Sequence, residues 1–270
     1  MKIVVDADKK NYGINFRELW EYRDLFFVLA WRDLRVRYAQ TFLGLTWALL
    51  QPVATLLIFI LVFGRVVKVD TGHIPYPLFA ISGISMWTFF SFVLSQSGES
   101  IIGAQEMIKK IYFPRLVIPL SKAVVGFVDL GVAFAILIIM MIAYGFAPSP
   151  NLVFVPLFVL LNIIAALAVG IWLSALTIRF RDFKHVVPFM VQFGLYATPV
   201  GYPARLVPEQ YLVLYNLNPM AGIIEGFRWS LLGGAAPGGY FYLSTGVVIF
   251  LFFSGLFYFR RVEDVMADIV

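Results

Sequence analysis

The apolar positions of this chain gather into long runs. A membrane-spanning helix needs about 20 largely apolar residues, and six stretches meet that need: 43–64, 78–97, 117–144, 152–178, 186–202 and 241–259. The third and fourth are long enough to tilt or to project beyond a bilayer. The fifth is short and carries Pro188 and Pro199, which predicts a broken or kinked helix. Residues 211–232 are also fairly apolar, but Asn216, Asn218, Pro219, Glu225 and Arg228 make a seventh crossing expensive. That segment reads as short helices on, or re-entering, one face of the membrane. The predicted fold class is an all-α integral membrane protein: six transmembrane helices preceded by an amphipathic interface helix, with short outer-face helices between spans five and six.

The amphipathic helix is read from residues 16–38. At 100° per residue, Phe16, Leu19, Trp20, Phe26, Phe27, Ala30, Trp31, Leu34 and Tyr38 fall on one arc, and Arg17, Glu18, Glu21, Asp24, Arg32 and Arg35 lie opposite. Leu25 and Val28 interrupt the polar face, while Arg23 and Arg37 sit on the apolar one, where long stems can snorkel. Such a helix lies in the membrane interface. Its role is left open between a surface anchor and a docking surface. The first 40 residues lack the short apolar core and small-residue cleavage site of a signal peptide. The predicted division is therefore 1–38, a cytoplasmic arm with the interface helix, and 39–270, a six-span transmembrane domain.

Composition agrees with this reading. Of 270 residues, 61% are apolar and 14% charged, against roughly half and a quarter in soluble domains. A soluble enzyme and a disordered chain are both excluded. The chain has no cysteine and two histidines far apart in sequence, which excludes disulfide scaffolds, thiol catalysis and zinc–thiolate sites and gives no sign of a metal cluster. Charge matters through its placement. Of the 21 Lys and Arg, 17 fall in the N-terminal arm, the loops after spans two and four, and the C-terminus, while Arg65, Lys68, Arg205 and Arg228 fall on the other side. The excess of positive charge marks the cytoplasmic face, so both termini are expected in the cytoplasm.

Three ordered motifs carry a resemblance. They are residues 29–52 (LAWRDLRVRYAQTFLGLTWALLQP), residues 106–119 (EMIKKIYFPRLVIP), and Arg179-Phe180-Arg181-Asp182 followed by a broken helix ending in Thr198-Pro199. Asn218-Pro219 and Gly226-Phe227-Arg228 also fit. Over nearly its whole length the chain resembles the polysaccharide-export permeases. These are the membrane subunits of ABC-2 type ATP-binding cassette exporters for O-antigen, teichoic acid and capsule. The resemblance implies a homodimer in the inner (cytoplasmic) membrane, with two copies of an ATP-binding cassette subunit docked on the cytoplasmic face. It also implies a channel at the dimer interface for a glycan carried on undecaprenyl pyrophosphate, with O-antigen the leading substrate. The chain has no G-x-x-x-x-G-K-[ST] loop and cannot cradle ATP phosphates itself, so ATP and Mg²⁺ would be bound by the partner. No cofactor, metal, catalytic residue or nucleic-acid contact is expected in this chain, and six helices are few for a glycan conduit unless two copies share it.

Candidate site residues follow. The resemblance assigns the loop after span two to a coupling helix that touches the ATPase, which points to Lys110, Tyr112, Phe113 and Arg115. Two aromatics in a water-facing loop want a pocket, which a partner's groove supplies. Arg181 and Asp182, in the short loop after span four, offer a second contact or a structural turn. Spans one and five combine polar and helix-breaking residues, tolerated at membrane depth only against protein or water. Gln51 in one, and Gln192, Tyr196 and Pro199 in the other, are therefore placed along the channel, the last three on one helix face. Glu225 and Arg228 are three apart and read either as a pair or as part of an outer gate. Asp129 lies mid-span, where a carboxylate must face protein or water. Rival readings are an ABC-2 exporter of a drug or lipid, and a membrane glycosyltransferase. The latter lacks a catalytic loop, since the outer loops offer only Asp70, His73, Glu209 and Glu225.

Overall fold

In a computed structural model, the structure describes residues 16–39, 44, 46–180 and 182–269. Among them there are helices and no strands. The short α1 (Phe16–Glu21) is followed by α2 (Arg23–Tyr38), α3 (Thr46–Phe59) and a π-helical extension (Ile60–Val66). Next come α4 (Tyr76–Gly103), the six-residue α5 (Gln105–Lys110), α6 (Val117–Ala143), and α7 (Val155–Arg179) behind a 3₁₀ turn (Pro150–Phe154). The chain closes with α8 (Phe183–Ala197), the short α9 (Leu212–Asn216), α10 (Pro219–Leu232) and α11 (Gly239–Ile269).

Five of these are long and apolar enough to cross a membrane: Thr46–Val66, Tyr76–Gly103, Val117–Ala143, Pro150–Arg179 and Gly239–Glu263. The fifth expected span, 186–202, is corrected. α8 has only 15 residues, a rise of about 22 Å against a hydrocarbon core of roughly 30 Å. Beyond α8 the chain continues in non-helical backbone. Thr198, Pro199, Val200 and Gly201 are buried, and Arg205 beyond them reaches Asp70 at 2.9 Å. Irregular backbone at depth is tolerated when protein covers it, and here α3, α4 and α10 do so.

Contacts gather at the two ends of the bundle. At the far end, Arg205 meets Asp70, His73 stacks on Phe146 at 6.3 Å, and the Ser149 amide donates to the Leu231 carbonyl. At the other end, here the α5 end, the Arg115 amide donates to Glu263 of α11 at 3.0 Å, and Tyr112 donates to Glu18 of α1. α4 is the central post: its spanning stretch is mostly buried, and α3, α6, α7, α8 and α10 all pack on it.

α10 fills the far end instead of crossing. Asn218 caps its N-terminus, accepting from the Met220 amide, Pro219 takes the first turn, and Gly233 closes it at φ 72°. It packs so closely that a Cβ at Gly226 would stand 2.0 Å from the Phe158 ring. As expected, residues 211–232 form short helices and no long span, with most of α10 buried.

The N-terminal helix differs from its helical wheel. It breaks at Tyr22 (φ −94°, ψ 17°), and the predicted apolar arc splits in two. Leu29 and Ala30 are buried, and Leu19, Tyr22, Leu25 and Phe26 pack against the core. Trp20, Phe27 and Trp31 stay 70%, 61% and 58% exposed, with Arg23 and Arg35 over the two indoles. The reason is charge. Asp33 pairs with Lys122, and Arg37 with Asp129 at 2.5 Å, so α2 lies along α6 on the stripe that carries Asp33 and Arg37. Arg37 does not snorkel to water, and Asp129 has a structural partner.

Candidate functional site

The α5 end carries one candidate surface. α5 is an exposed turn closed by an Lys110–Glu106 pair four residues apart, at 3.7 Å and open to solvent, worth only a few tenths of a kcal/mol. Past it, Ile111 turns extended (φ −136°, ψ 135°). Successive side chains of an extended segment point to opposite sides, and the two aromatics of the motif part accordingly. Tyr112 is 71% exposed while Phe113 is buried at 3%. Tyr112 donates to Glu18 at 3.3 Å, and its carbonyl accepts from the Tyr22 hydroxyl. A cleft of about 240 Å³ opens between Ile108, Lys109, Lys110 and Tyr112. Arg115 is turned inward, its amide donating to the Glu263 carboxylate and its guanidinium to the Glu263 backbone carbonyl, and Arg260 pairs with that carboxylate at 2.9 Å. Of the residues expected to meet a partner, Lys110 and Tyr112 are therefore presented outward, whereas Phe113 and Arg115 support the loop from within. Asp182 is exposed before α8 and its carbonyl accepts from the His185 amide. Arg181 lies outside the described residues.

The second candidate surface faces outward from α3, α4 and α8. On α8, Val187 and Gly194 face the bundle, where a Cβ at Gly194 would stand 2.6 Å from Trp87. The opposite stripe therefore carries Phe189, Gln192, Phe193 and Tyr196, at spacings of three and four. All four are exposed, and Phe189 and Phe193 stack with centroids 6.2 Å apart. Pro199 is not on this stripe, because the helix ends at Ala197 and Pro199 is buried beneath it. On α3, Gln51 is exposed and Pro52 buried. α4 shows a polar stripe that sequence reading missed: Thr88, Ser91 and Ser95 are half-buried, and Gln96 and Glu99 exposed. Their spacing of three and four puts them on one face of a helix otherwise sunk in the bundle. That spacing is present in the sequence, inside an apolar run that masks it.

The third candidate is the Glu225–Arg228 pair. Among the described residues Arg228 is the largest fully enclosed side chain, 2% exposed. Its guanidinium donates to the carbonyls of Phe79, Pro199 and Val200 and to Ser82, and lies 3.5 Å from the Phe79 ring centroid. Gly83 makes the room, since a Cβ there would meet Arg228 Nη2 at 2.5 Å. Burial lowers the Arg228 pKa to about 10, with Glu225 opposing that shift, and the group stays cationic at neutral pH. Glu225 sits 3.5 Å away, half-buried, and also accepts from the Ala204 amide. Arg228 thus fastens the non-helical segment after α8 to α4.

Comparison with known proteins places these surfaces in context. Residues 24–232 match the model of the ABC-2 type transporter family. The O-antigen export system permease protein RfbA of Klebsiella pneumoniae is 29% identical over 252 residues, covering 92% of this chain and 95% of its own. The protein of the same name from Myxococcus xanthus is 29% identical over 214 residues, 78% of this chain and 82% of its own. The polysialic acid transport protein KpsM of Escherichia coli is 24% identical over 244 residues, 87% and 92% of the two chains. With a family model matched over most of its length and five helices able to span a bilayer, the chain is a multi-pass membrane protein that belongs to the ABC-2 type transporter family.

Proposed function

We propose that this chain is the permease half of an ATP-driven exporter that moves a lipid-linked polysaccharide, O-antigen being the leading candidate, through a channel between two copies of itself. The observation that carries the reading is the outward polar and aromatic face of α3, α4 and α8. Gln51, Ser95, Gln96, Glu99 and Gln192 in a spanning bundle are costly against lipid and are tolerated against protein or water. A second copy across a water-filled gap supplies both. The stacked Phe189 and Phe193, with Tyr196 above them, offer flat surfaces on which the apolar faces of sugars slide without the fixed charges that would trap them. The relatives named for O-antigen and polysialic acid transport support a glycan over the drug or lipid alternative.

The test compares Tyr196→Ala with Phe253→Ala, the latter on the exposed face of α11. Surface glycan per unit of membrane-inserted permease should fall for Tyr196→Ala by about tenfold, equivalent to roughly 1.4 kcal/mol, and stay near wild type for Phe253→Ala. Equal export from both would remove α8 from the path.

In the same reading the α5 end faces the cytoplasm and receives the ATP-binding subunits, which hold ATP and Mg²⁺. Lys110 and Tyr112 are the outward anchors, and interface aromatics and cations of this kind carry about 2 kcal/mol or more each when enclosed. The double variant Lys110→Glu/Tyr112→Ala should lose co-purification of the ATPase subunit while the permease keeps its expression and elution volume. Full retention of the subunit would move the docking site elsewhere. Arg115→Glu, by contrast, should lower permease yield, because it removes the guanidinium that donates to the Glu263 carbonyl and sets a second carboxylate beside Glu263.

A further inference from the structure

We propose that the cleft between α8 and the α7–α11 pair is a seat for an acyl chain of a membrane phospholipid. The cleft measures about 440 Å³, within the range of sites that hold small ligands. Its walls are Trp87 and Leu94 of α4, Val169 and Trp172 of α7, Met190 of α8 and Leu251 of α11. α8 touches α4 closely at Gly194 and Trp87, and it lines the space with Met190, Val191 and Gly194, on the side opposite its aromatic stripe.

The chemistry of the lining selects the occupant. Polar groups reach the cleft only at its far end, through Thr198 and Asn218. These are already engaged: the Asn218 amide donates to Thr198 Oγ1 at 2.8 Å and to the Ala197 carbonyl at 3.3 Å. The Trp172 indole donates to Ser254 at 3.2 Å, and its ring stacks on Tyr258 at 4.7 Å. A bound water needs two to four polar partners, and the cleft supplies none that is free along its length. A sugar would leave its hydroxyls unpaired. Left empty, an apolar gap of this size forfeits the dispersion contacts of every side chain around it. The cleft opens past Met190, 39% exposed, onto the side of a bundle whose surroundings are lipid. The long apolar molecule at hand there is a phospholipid chain. Seated behind α8, it completes the packing that protein leaves undone and holds the helix at its distance from α11. Such a seat requires only that the chain be embedded in a membrane, whatever it exports.

The test is photo-crosslinking of the full chain in vesicles of phosphatidylethanolamine and phosphatidylglycerol, a minor fraction of the latter carrying a diazirine in one acyl chain. Trp87 and Leu94 are 6% and 3% exposed, so only a chain that has entered the cleft can label them. Adducts are expected on these two residues as well as on Phe250 and Phe253, which face outward from α11. Two variants fill the space from different walls, Val169→Phe and Leu251→Trp. In at least one, labelling of Trp87 and Leu94 should fall about tenfold, equivalent to roughly 1.4 kcal/mol of site affinity, while labelling of Phe250 and Phe253 persists and certifies the inserted fold. No adduct on Trp87 or Leu94 in the unaltered chain would overturn the proposal. Adducts undiminished in both variants would overturn it as well.

Discussion

Replacing Arg228 by Ala is expected to leave little folded protein. The guanidinium satisfies three backbone carbonyls, those of Phe79, Pro199 and Val200, and the Ser82 hydroxyl, all enclosed. Each buried acceptor stripped of its donor costs about 1–3 kcal/mol, and the void adds a few more. The total is comparable with the whole stability of a typical domain, about 5–15 kcal/mol. Lysine would keep the charge near Glu225 but offers three donors from one point where Arg228 offers a planar fork, so Arg228→Lys should fall between. Gly83→Ala should reproduce the defect without touching the charge, because its methyl would stand 2.5 Å from Nη2 and 2.8 Å from the Val200 carbonyl oxygen. Glu225→Gln keeps an acceptor for the Ala204 amide and should cost about 1 kcal/mol. Thermal unfolding in detergent and monodisperse yield rank the four. A melting shift for Arg228→Ala under about 4 °C, the size of roughly 1 kcal/mol in a chain of this length, would show that the network is not what holds the segment after α8. The ranking also bears on gating. Arg228 could swing only by breaking all of these bonds at once, so motion at the far end, if it occurs, belongs to Glu225 and the loops around it.

How much of this was legible in the sequence depended on whether the signal was local. Long apolar runs have one physical solution in a bilayer, and the five long spans lie where the runs placed them. Asn218, Pro219 and Gly233 mark the ends of α10 by cap chemistry that is equally local. Partnerships across the chain were not visible. Asp129, mid-span, calls for protein or water around it, but nothing local in the sequence joins it to Arg37, which the helical wheel places at the interface. Arg228 was counted with the outer-face charges because nothing in the sequence shows that Ser82 and three carbonyls converge on it. Tyr112 and Phe113 are chemically alike neighbours, and only the extended backbone after α5 decides which points out.

The attachment of α2 to α6 yields the sharpest energetic prediction. Arg37 and Asp129 are paired at 2.5 Å with side chains 29% and 7% exposed, and Tyr38 donates to the same carboxylate. Burial and that hydrogen bond raise the Tyr38 pKa, so its hydroxyl stays protonated and donating. Asp33 and Lys122, at 17% and 12%, repeat the pairing nearer the start of α6. Removing one member of a buried pair strands the other charge and costs about 3–5 kcal/mol, whereas replacing both by apolar groups of similar size is often neutral. Arg37→Leu and Asp129→Leu should therefore each destabilise the protein strongly, and the double variant should recover most of the loss. About 1 kcal/mol should stay missing because Tyr38 loses its acceptor. Hydrogen exchange locates the effect: in the single variants the amides of α2 should lose protection before those of α4 and α7, because α2 leans on the bundle chiefly through α6. The coupling energy from this cycle decides the matter. A double variant as unstable as the worse single one would mean that α2 is held by its apolar contacts at Phe26, Leu29 and Ala30, with the charges adding specificity of register but no hold.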